Sequence, residues 1–321
     1  MEIFIVSGIH PRISIGLPVF NGSTYLSGAI ESVLSQTYAQ FELIVCDNAS
    51  SDSTEEIAKS YAAKDDRIRY FRNRSNVGAA PNFNLAFSYA RGEYFNWLAH
   101  DDVLAPEFLS RCIEVLDADP SVVLAYSKVT IIDEMGRGVE SYIKKLPTDS
   151  EDCIVRFNSL LQGHKCFEVF GLMRHNALAK TPLMGGYSMG DGVLLARLSL
   201  LGRFVEIPEV LFYSRRHPNQ SDSLRKDRRQ YSAWFDSNLR NKIVFPWWRT
   251  QFEFMRLVHR APISAAEKMA CYRATCVNTM KSFKRYQLYS EAKYGLREIC
   301  RRCNPLSYFR YKVKGLEKKI Y

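Results

Sequence analysis

The 321 residues are 46% hydrophobic and 24% charged, the balance of an ordinary globular chain with room for one large domain or a domain with an extension. No run approaches the roughly 18 apolar residues of a membrane span, and Met1 to Pro11 lacks the basic start and small-residue cleavage site of a signal peptide, so a cytoplasmic chain is expected. The net charge of +10 is confined to one end: residues 261–321 hold 14 Lys and Arg against 4 Glu, while the first 260 residues balance. That argues against a nucleic-acid groove in the main body and sets the tail apart. The eight cysteines are scattered, and Cys300-x-x-Cys303 stands without the second pair that a zinc site needs, so free thiols are expected.

In chain order, Ile13 to Val19 alternates and is β-rich, a strand with Pro18 near its end, and Phe20-Asn21-Gly22 turns out of it. Leu26, Ile30, Val33 and Leu34 recur at helical spacing. Phe41 to Cys46 is a second apolar run, ending in a polar stretch from Asp47 to Asp52. Ser53-Thr54-Glu55-Glu56 then fits a capping box for a helix continued by Ile57 and Tyr61. Ile68 to Phe71 predicts a third strand, Asn73 to Gly78 a polar turn, and Pro81 the start of a helix bearing Phe83, Phe87 and Ala90. Tyr94 to Leu98 reads as a buried strand that breaks off into Ala99-His100-Asp101-Asp102. Pro106 opens the next helix, which stops before Pro120, and Val122 to Tyr126 and Val129 to Ile132 predict two more strands.

From residue 140 the rhythm loosens. Arg156 to Leu161 predicts a helix and Lys165 to Arg174 a strand leading to a turn. Gly185 to Asp191 is a glycine-rich loop ending in an acid, followed by an apolar helix that Gly202 closes. Leu211-Phe212-Tyr213 leads into the basic loop Ser214 to Ser221.

Strands alternating with helices predict βαβ units and an α/β fold with a mostly parallel sheet flanked by helices. Right-handed crossovers place the residues after each strand along one rim, so Asn21, Asp47, Asn48, Asn76, Asp101 and Asp102 should converge there. Carboxylates at a strand end suit a divalent cation that neutralises a nucleotide diphosphate. Asp101-Asp102 also fits acids ahead of a helix N-terminus, and Asp47 fits either an acceptor for a base N–H or an Asx-turn. Asp191 fits a helix N-cap or a general base for an acceptor hydroxyl. His217, beside Arg215 and Arg216, suits a metal, a phosphate or plain surface exposure. No P-loop, no G-x-G-x-x-G after the first strand and no G-x-S-x-G elbow occurs, which disfavours a P-loop enzyme, a dinucleotide dehydrogenase and a serine hydrolase.

These segments together resemble family 2 glycosyltransferases. Ile13 to Asn21 resembles that family's first strand, Glu42 to Thr54 its V-D-D-G-S-T-D-G-T segment, Asn76-Val77-Gly78 its N-x-G turn, and Ala90-Arg91-Gly92-Glu93-Tyr94 its lead into the metal strand. The resemblance implies a Rossmann-like GT-A fold, a nucleotide-sugar donor, Mn²⁺ or Mg²⁺, and inversion at the anomeric carbon. Asp47 matches the family's base-contacting acid and Asp191 its general base. Asp101 matches the second acid of D-x-D and Asp102 the acid that follows it, and Arg216-His217, with Gln220 and Ser221, matches the segment closing over the diphosphate. The donor site implied is Pro18, Phe20, Asn21, Asp47, Asn48, Asn76, Gly78, His100, Asp101 and Arg216; the metal site is Asp101, Asp102 and His217. Ala99 departs from the pattern at the first acid of D-x-D, and Asn48-Ala49 replaces the usual Asp-Gly, which leaves UDP as first choice with GDP and dTDP open.

The resemblance places the catalytic domain at residues 1–225, with a nucleotide-sugar half at 12–130 and an acceptor half at 131–225. Residues 226–321 remain as a mainly helical, basic extension. Phe245-Pro246-Trp247-Trp248-Arg249 and the cations Lys281, Lys284, Arg285, Arg301, Arg302, Arg310, Lys312 and Lys314 suit either an anionic membrane surface, and with it a lipid-linked acceptor, or a solvated helical face. A saccharide is the other acceptor class. The rival functions are a sugar nucleotidyltransferase, which wants a basic glycine-rich loop where Phe20-Asn21-Gly22 stands, and a non-catalytic nucleotide-sugar-binding scaffold, which Ala99 leaves open.

Overall fold

The computed structural model describes residues 10–220, 228–240 and 242–303; Ser221, Arg310, Lys312 and Lys314 therefore lie outside the described residues. The chain opens with β1 (Ile13–Val19), α1 (Leu26–Leu34), β2 (Phe41–Asp47), α2 (Thr54–Ala62), β3 (Ile68–Arg72), α3 (Ala79–Ser88) and β4 (Tyr94–Trp97). Next come β5 (Val103–Leu104), α4 (Phe108–Ala118), β6 (Val122–Ile132), β7 (Gly138–Tyr142), α5 (Cys153–Leu161), β8 (Leu172–Arg174), the single turn α6 (His175–Leu178), α7 (Gly190–Ser199) and β9 (Arg203–Arg215). Helices α8 (Arg228–Phe235), α9 (Pro246–Arg260), α10 (Ala265–Met280) and α11 (Ser282–Cys303) follow, the helical extension expected from the sequence.

The sheet runs β3-β2-β1-β4-β8-β6-β9-β5, with β7 on the edge of β6. From β3 to β4 every pairing is parallel, and β1 lies centrally with Gly16 opposite Ile44 on one side and Trp97 on the other. Beyond β4 the sheet is mixed: β8 runs antiparallel to both β4 and β6, β7 to β6 and β5 to β9, while β6 and β9 are parallel. This corrects the mostly parallel sheet. The alternation of strand and long helix that enforces parallel pairing stops after α4, and β8 enters from a one-turn 3₁₀ segment at Phe167–Phe170 rather than from a crossover helix. The strand expected over Lys165 to Arg174 is thus mostly that turn. The two strands expected over 122–132 are one, and the gap between them survives as shifts of register against β9 on either side of Lys128.

Both faces of the sheet are covered, as the unbroken burial of β1 and β2 requires. Ile13, Ile15, Leu17 and Val19 pack with Ile30, Leu43 and Leu109 on the face covered by α1 and α4. Phe95, Trp97 and Leu124 pack with Phe87, Leu195 and Leu198 on the face covered by α3 and α7. The capping box at Ser53 does not form. Asp52 does that work instead, accepting from Thr54 N (3.1 Å) and Ser23 N (3.0 Å) and so tying the loop after β2 to the turn after β1.

Leu43 is fully buried at the centre of β2. Leu43→Ala should cost about 2–5 kcal/mol through lost burial and an unfilled cavity, read as a lower urea midpoint at unchanged slope. A loss below about 1 kcal/mol would place Leu43 outside the tight core.

Candidate active site

Parallel pairing brings the carboxyl ends of β1, β2 and β4 to one rim, where open α/β sheets gather ligands. β9 adds a fourth end: its partner β5 sets Val103 opposite Tyr213, so the loop after β9 returns beside the turn after β4. A cavity of about 1420 Å³ opens at this rim, and every residue expected in the site lines it except Asp47 and Gly78. The convergence is therefore observed, with two exceptions that have plain causes.

Asp47 is fully buried, turned behind the cavity wall. One carboxylate oxygen accepts from Arg72 Nη1 (2.5 Å) and the Tyr70 hydroxyl (2.8 Å), and the other from Ser50 N (2.8 Å). The Ser50 bond closes a local turn three residues on, so Asp47 braces its own loop. Gly78 is packed against the backbone before the 3₁₀ turn at Ser237–Leu239. Its φ of +93° suits glycine, and a Cβ would stand 2.7 Å from the Asp236 Cα. Between them Asn48 latches the ends of β2 and of the following turn, donating to Asn76 Oδ1 (3.0 Å) and the Gly78 carbonyl (3.2 Å) and accepting from Asn73 Nδ2 (3.0 Å) and Val77 N (2.9 Å). Asn21, at φ +51°, accepts from Ser51 N at 2.8 Å.

At the β4 end, Asp101 Oδ2 and His217 Nε2 lie 3.0 Å apart. Burial pushes the Asp101 carboxyl up, but the His217 bond and the charges of His100 and His217 outweigh burial and hold it below the usual range. The neighbouring carboxylate does something else. Asp102 Oδ1 accepts the Arg215 backbone N–H at 2.8 Å, and burial, reinforced by Asp101, raises its pKa well above that of an ordinary aspartate. Asp102, which also lines the cavity, thus clamps the turn after β4 to the end of β9. The Arg215 side chain strengthens the clamp through Nε to the Asp101 carbonyl (2.9 Å). Arg216 lies over Phe167 and is held by Ser214 Oγ at 3.0 Å. Burial lowers the pKa of His100, against the opposing charge of Asp101. Among the described residues no group of three or more His, Cys, Asp or Glu side chains is arranged to hold a metal.

On the opposite side of the cavity, Asp191 occupies the first turn of α7, not its N-cap, which is Met189 at φ +66°. Its Oδ1 accepts from Gly192 N (2.8 Å). Burial raises its pKa, against the opposing effects of that bond and of His164. Gly190 is fixed by close approach, since a Cβ there would meet the Gly185 carbonyl at 2.3 Å. Two groups of residues here were not placed in the site from the sequence. His164, which shows no metal-ligand spacing there and reads as structural, has a fully buried side chain and pairs with Glu168 at 3.2 Å, with the i, i+4 spacing as its one sequence signal. Tyr231, Trp234 and Arg240 reach the cavity from the extension, where no pattern marks them.

The family model for glycosyl transferase family 2 matches residues 14–178. The chain belongs to this family. An uncharacterized glycosyltransferase of Rickettsia felis is 38% identical over 137 residues, 42% of this chain and 22% of that one. The putative glycosyltransferase EpsE of Bacillus subtilis is 35% identical over 127 residues, 39% of this chain and 46% of that one. The match thus spans less than half the length of these curated relatives. Among solved structures, S. aureus TarS in complex with UDP-GlcNAc aligns with a TM-score of 0.65 at 15% identity, covering 89% of this chain and 81% of that one. Mannosyltransferase PcManGT from Pyrobaculum calidifontis, in complex with GDP-Man and Mn²⁺, aligns with a TM-score of 0.57 at 15% identity, covering 97% and 81%. At that identity the likeness concerns the fold, which in this family 2 glycosyltransferase is GT-A-like with a curled, mixed sheet.

Asp47→Ala removes the acceptor for Arg72, Tyr70 and Ser50, but leaves Arg72 its second partner, Glu55, at 3.2 Å. The loss should be about 1–3 kcal/mol in urea unfolding. A change within about 0.5 kcal/mol, as for a bland surface site, would contradict the bracing role.

Proposed function

We propose that this family 2 glycosyltransferase moves a sugar from a nucleotide sugar, UDP-linked as first choice, to a hydroxyl of a saccharide or lipid-linked acceptor in cell-surface polysaccharide or glycolipid synthesis. The observation that carries the proposal is the placing of Asp191 and the Asp101–His217 pair on one cavity. A diphosphate at the β4 and β9 ends and a base at the α7 end leave room for the sugar between them. The complexes of the two structural relatives with UDP-GlcNAc and with GDP-Man support the nucleotide-sugar class.

In this proposal Asp191 takes the acceptor O–H proton while that oxygen forms the new bond to the anomeric carbon, opposite the diphosphate. The bond from that carbon to the diphosphate oxygen breaks, the electron pair leaves with the nucleoside diphosphate, and the configuration inverts. Arg216 supplies planar N–H donors for the phosphate oxygens. A carboxylate and an imidazole, Asp101 and His217, form a donor set that fits Mn²⁺ or Mg²⁺ completed by phosphate and water oxygens. The chemistry supplied by a bound cation is neutralisation of the leaving diphosphate. Asp102 stays on Arg215 as the clamp. The catalytic unit is proposed to run to residue 225 and the extension beyond it, with the basic helices α10 and α11 lying against an anionic membrane surface on its cytoplasmic side. No helix among the described residues is long and apolar enough to cross a membrane.

Asp191→Asn should cut turnover by roughly 10²–10⁴ with UDP affinity retained; turnover within a few-fold of the parent would remove Asp191 from the role. The base works only when deprotonated and burial raises its pKa, so kcat/KM should be constant at higher pH and fall about tenfold per unit below that pKa. The limb should lie above the ordinary aspartate value of about 3.9 and vanish in Asp191→Asn; a limb unchanged in that variant would contradict the assignment. UDP release from UDP-sugars should require Mn²⁺ or Mg²⁺ and cease with EDTA. Tight UDP-sugar binding with no release under any condition would instead favour the non-catalytic binding reading.

A further inference from the structure

A second cavity, of about 1110 Å³, lies across the Gly185–Ser188 loop from the donor cavity. That loop lines the second cavity, while Met184, Met189 and Asp191, at its two ends, line the first, so it forms a wall between them. Helix α9 closes the far side.

The second cavity is cationic. Lys180, Arg197, Arg249, Arg256 and Arg260 line it against two acids, Asp236 and Glu253. Glu253 is shared, at 2.7 Å from Arg249 and 3.6 Å from Arg256, so one carboxylate faces two guanidinium groups. Arg197 is half-buried, and its Nη groups donate to the backbone carbonyls of Leu257 (2.7 Å) and Arg260 (3.1 Å), which carry no compensating charge. Its Nε is buried with no hydrogen-bond partner among the described residues. The same walls carry large apolar groups, with Trp248 50% and Phe252 60% exposed on the first turns of α9. Cations that outnumber acids call for an anion, and open aromatic faces beside them call for an apolar chain.

We propose that this cavity binds an anionic amphiphile, a lipid with a phosphate or diphosphate headgroup, the headgroup meeting the Arg249 and Arg256 side and the chain running along Trp248 and Phe252. On the reading of Asp191 as the base, on which this part rests, the bound lipid is the acceptor or its carrier, because the wall it touches ends at Asp191 and not at the diphosphate end. The cavity takes single lipid molecules, so the site is separate from any contact of α10 and α11 with a membrane surface.

The test is calorimetric titration of the full chain with dodecyl phosphate below its micelle concentration, beside inorganic phosphate and the neutral detergent dodecyl maltoside, each with and without UDP. Dodecyl phosphate should bind saturably, and roughly tenfold or more tighter than either control, as a charge-assisted contact combined with chain burial implies. R249Q/R256Q should weaken it by roughly tenfold or more while leaving UDP binding unchanged. Because that pair also holds Glu253, Trp248→Ala provides a second variant that keeps every charge and should weaken dodecyl phosphate at least several-fold without altering inorganic phosphate binding. Equal binding of dodecyl maltoside, equal binding of inorganic phosphate, or undiminished affinity in both variants would overturn the proposal. Absence of UDP binding would count instead against the donor site.

Discussion

One buried contact holds the proposed chemistry in register: the Asp102 carboxylate accepting the Arg215 amide at 2.8 Å. The two residues are far apart in the chain and lie at the ends of different strands. Joined, they set Asp101 and His217 face to face, with Arg216 one residue away. The clamp tolerates the raised pKa of Asp102, because a neutral carboxyl group still offers a carbonyl oxygen to an N–H donor. Both carboxylates line the cavity, Asp101 beside His217 and Asp102 bonded to the backbone that positions that histidine.

The first four strands were legible because their periodicity and their turn residues agree. Ile13–Val19 has the predicted bounds, and β2, β3 and β4 each fall within a residue of theirs. Parallel crossovers then make the rim almost a consequence of topology, which is why Asn21, Asn48, Asn76, Asp101 and Asp102 could be brought together from the strand pattern, while His217 was placed there by the family resemblance. What sequence could not supply was side-chain direction. Asp47 stands at the expected strand end, yet Arg72 and Tyr70, which follow it by 25 and 23 residues, draw its carboxylate out of the cavity. The second half was less legible because most of its pairings are antiparallel and several of its strands are short. β8 has three residues and β5 two, below the length at which alternation becomes a pattern.

The extension is part of this molecule's architecture. Phe254, Leu257 and Val258 of α9 and Cys271 of α10 share a buried cluster with Phe157 of α5 and with Val193 and Ala196 of α7. Helix α7 begins at the proposed base, so the least family-like part of the chain packs directly on the element that carries Asp191. The same segment sends Tyr231 and Trp234 into the donor cavity. The family match ends at residue 178, before α7 and the extension.

Hydrogen–deuterium exchange of the whole chain, with and without UDP and Mn²⁺, tests the central claim most directly. The account predicts new protection at the backbone of residues 76–80, 99–102 and 214–217, including the Arg215 amide held by Asp102, with the β6–β7 hairpin unchanged. Protection confined to other segments, or none at these three when UDP is bound, would mean that the strand ends do not form one donor site.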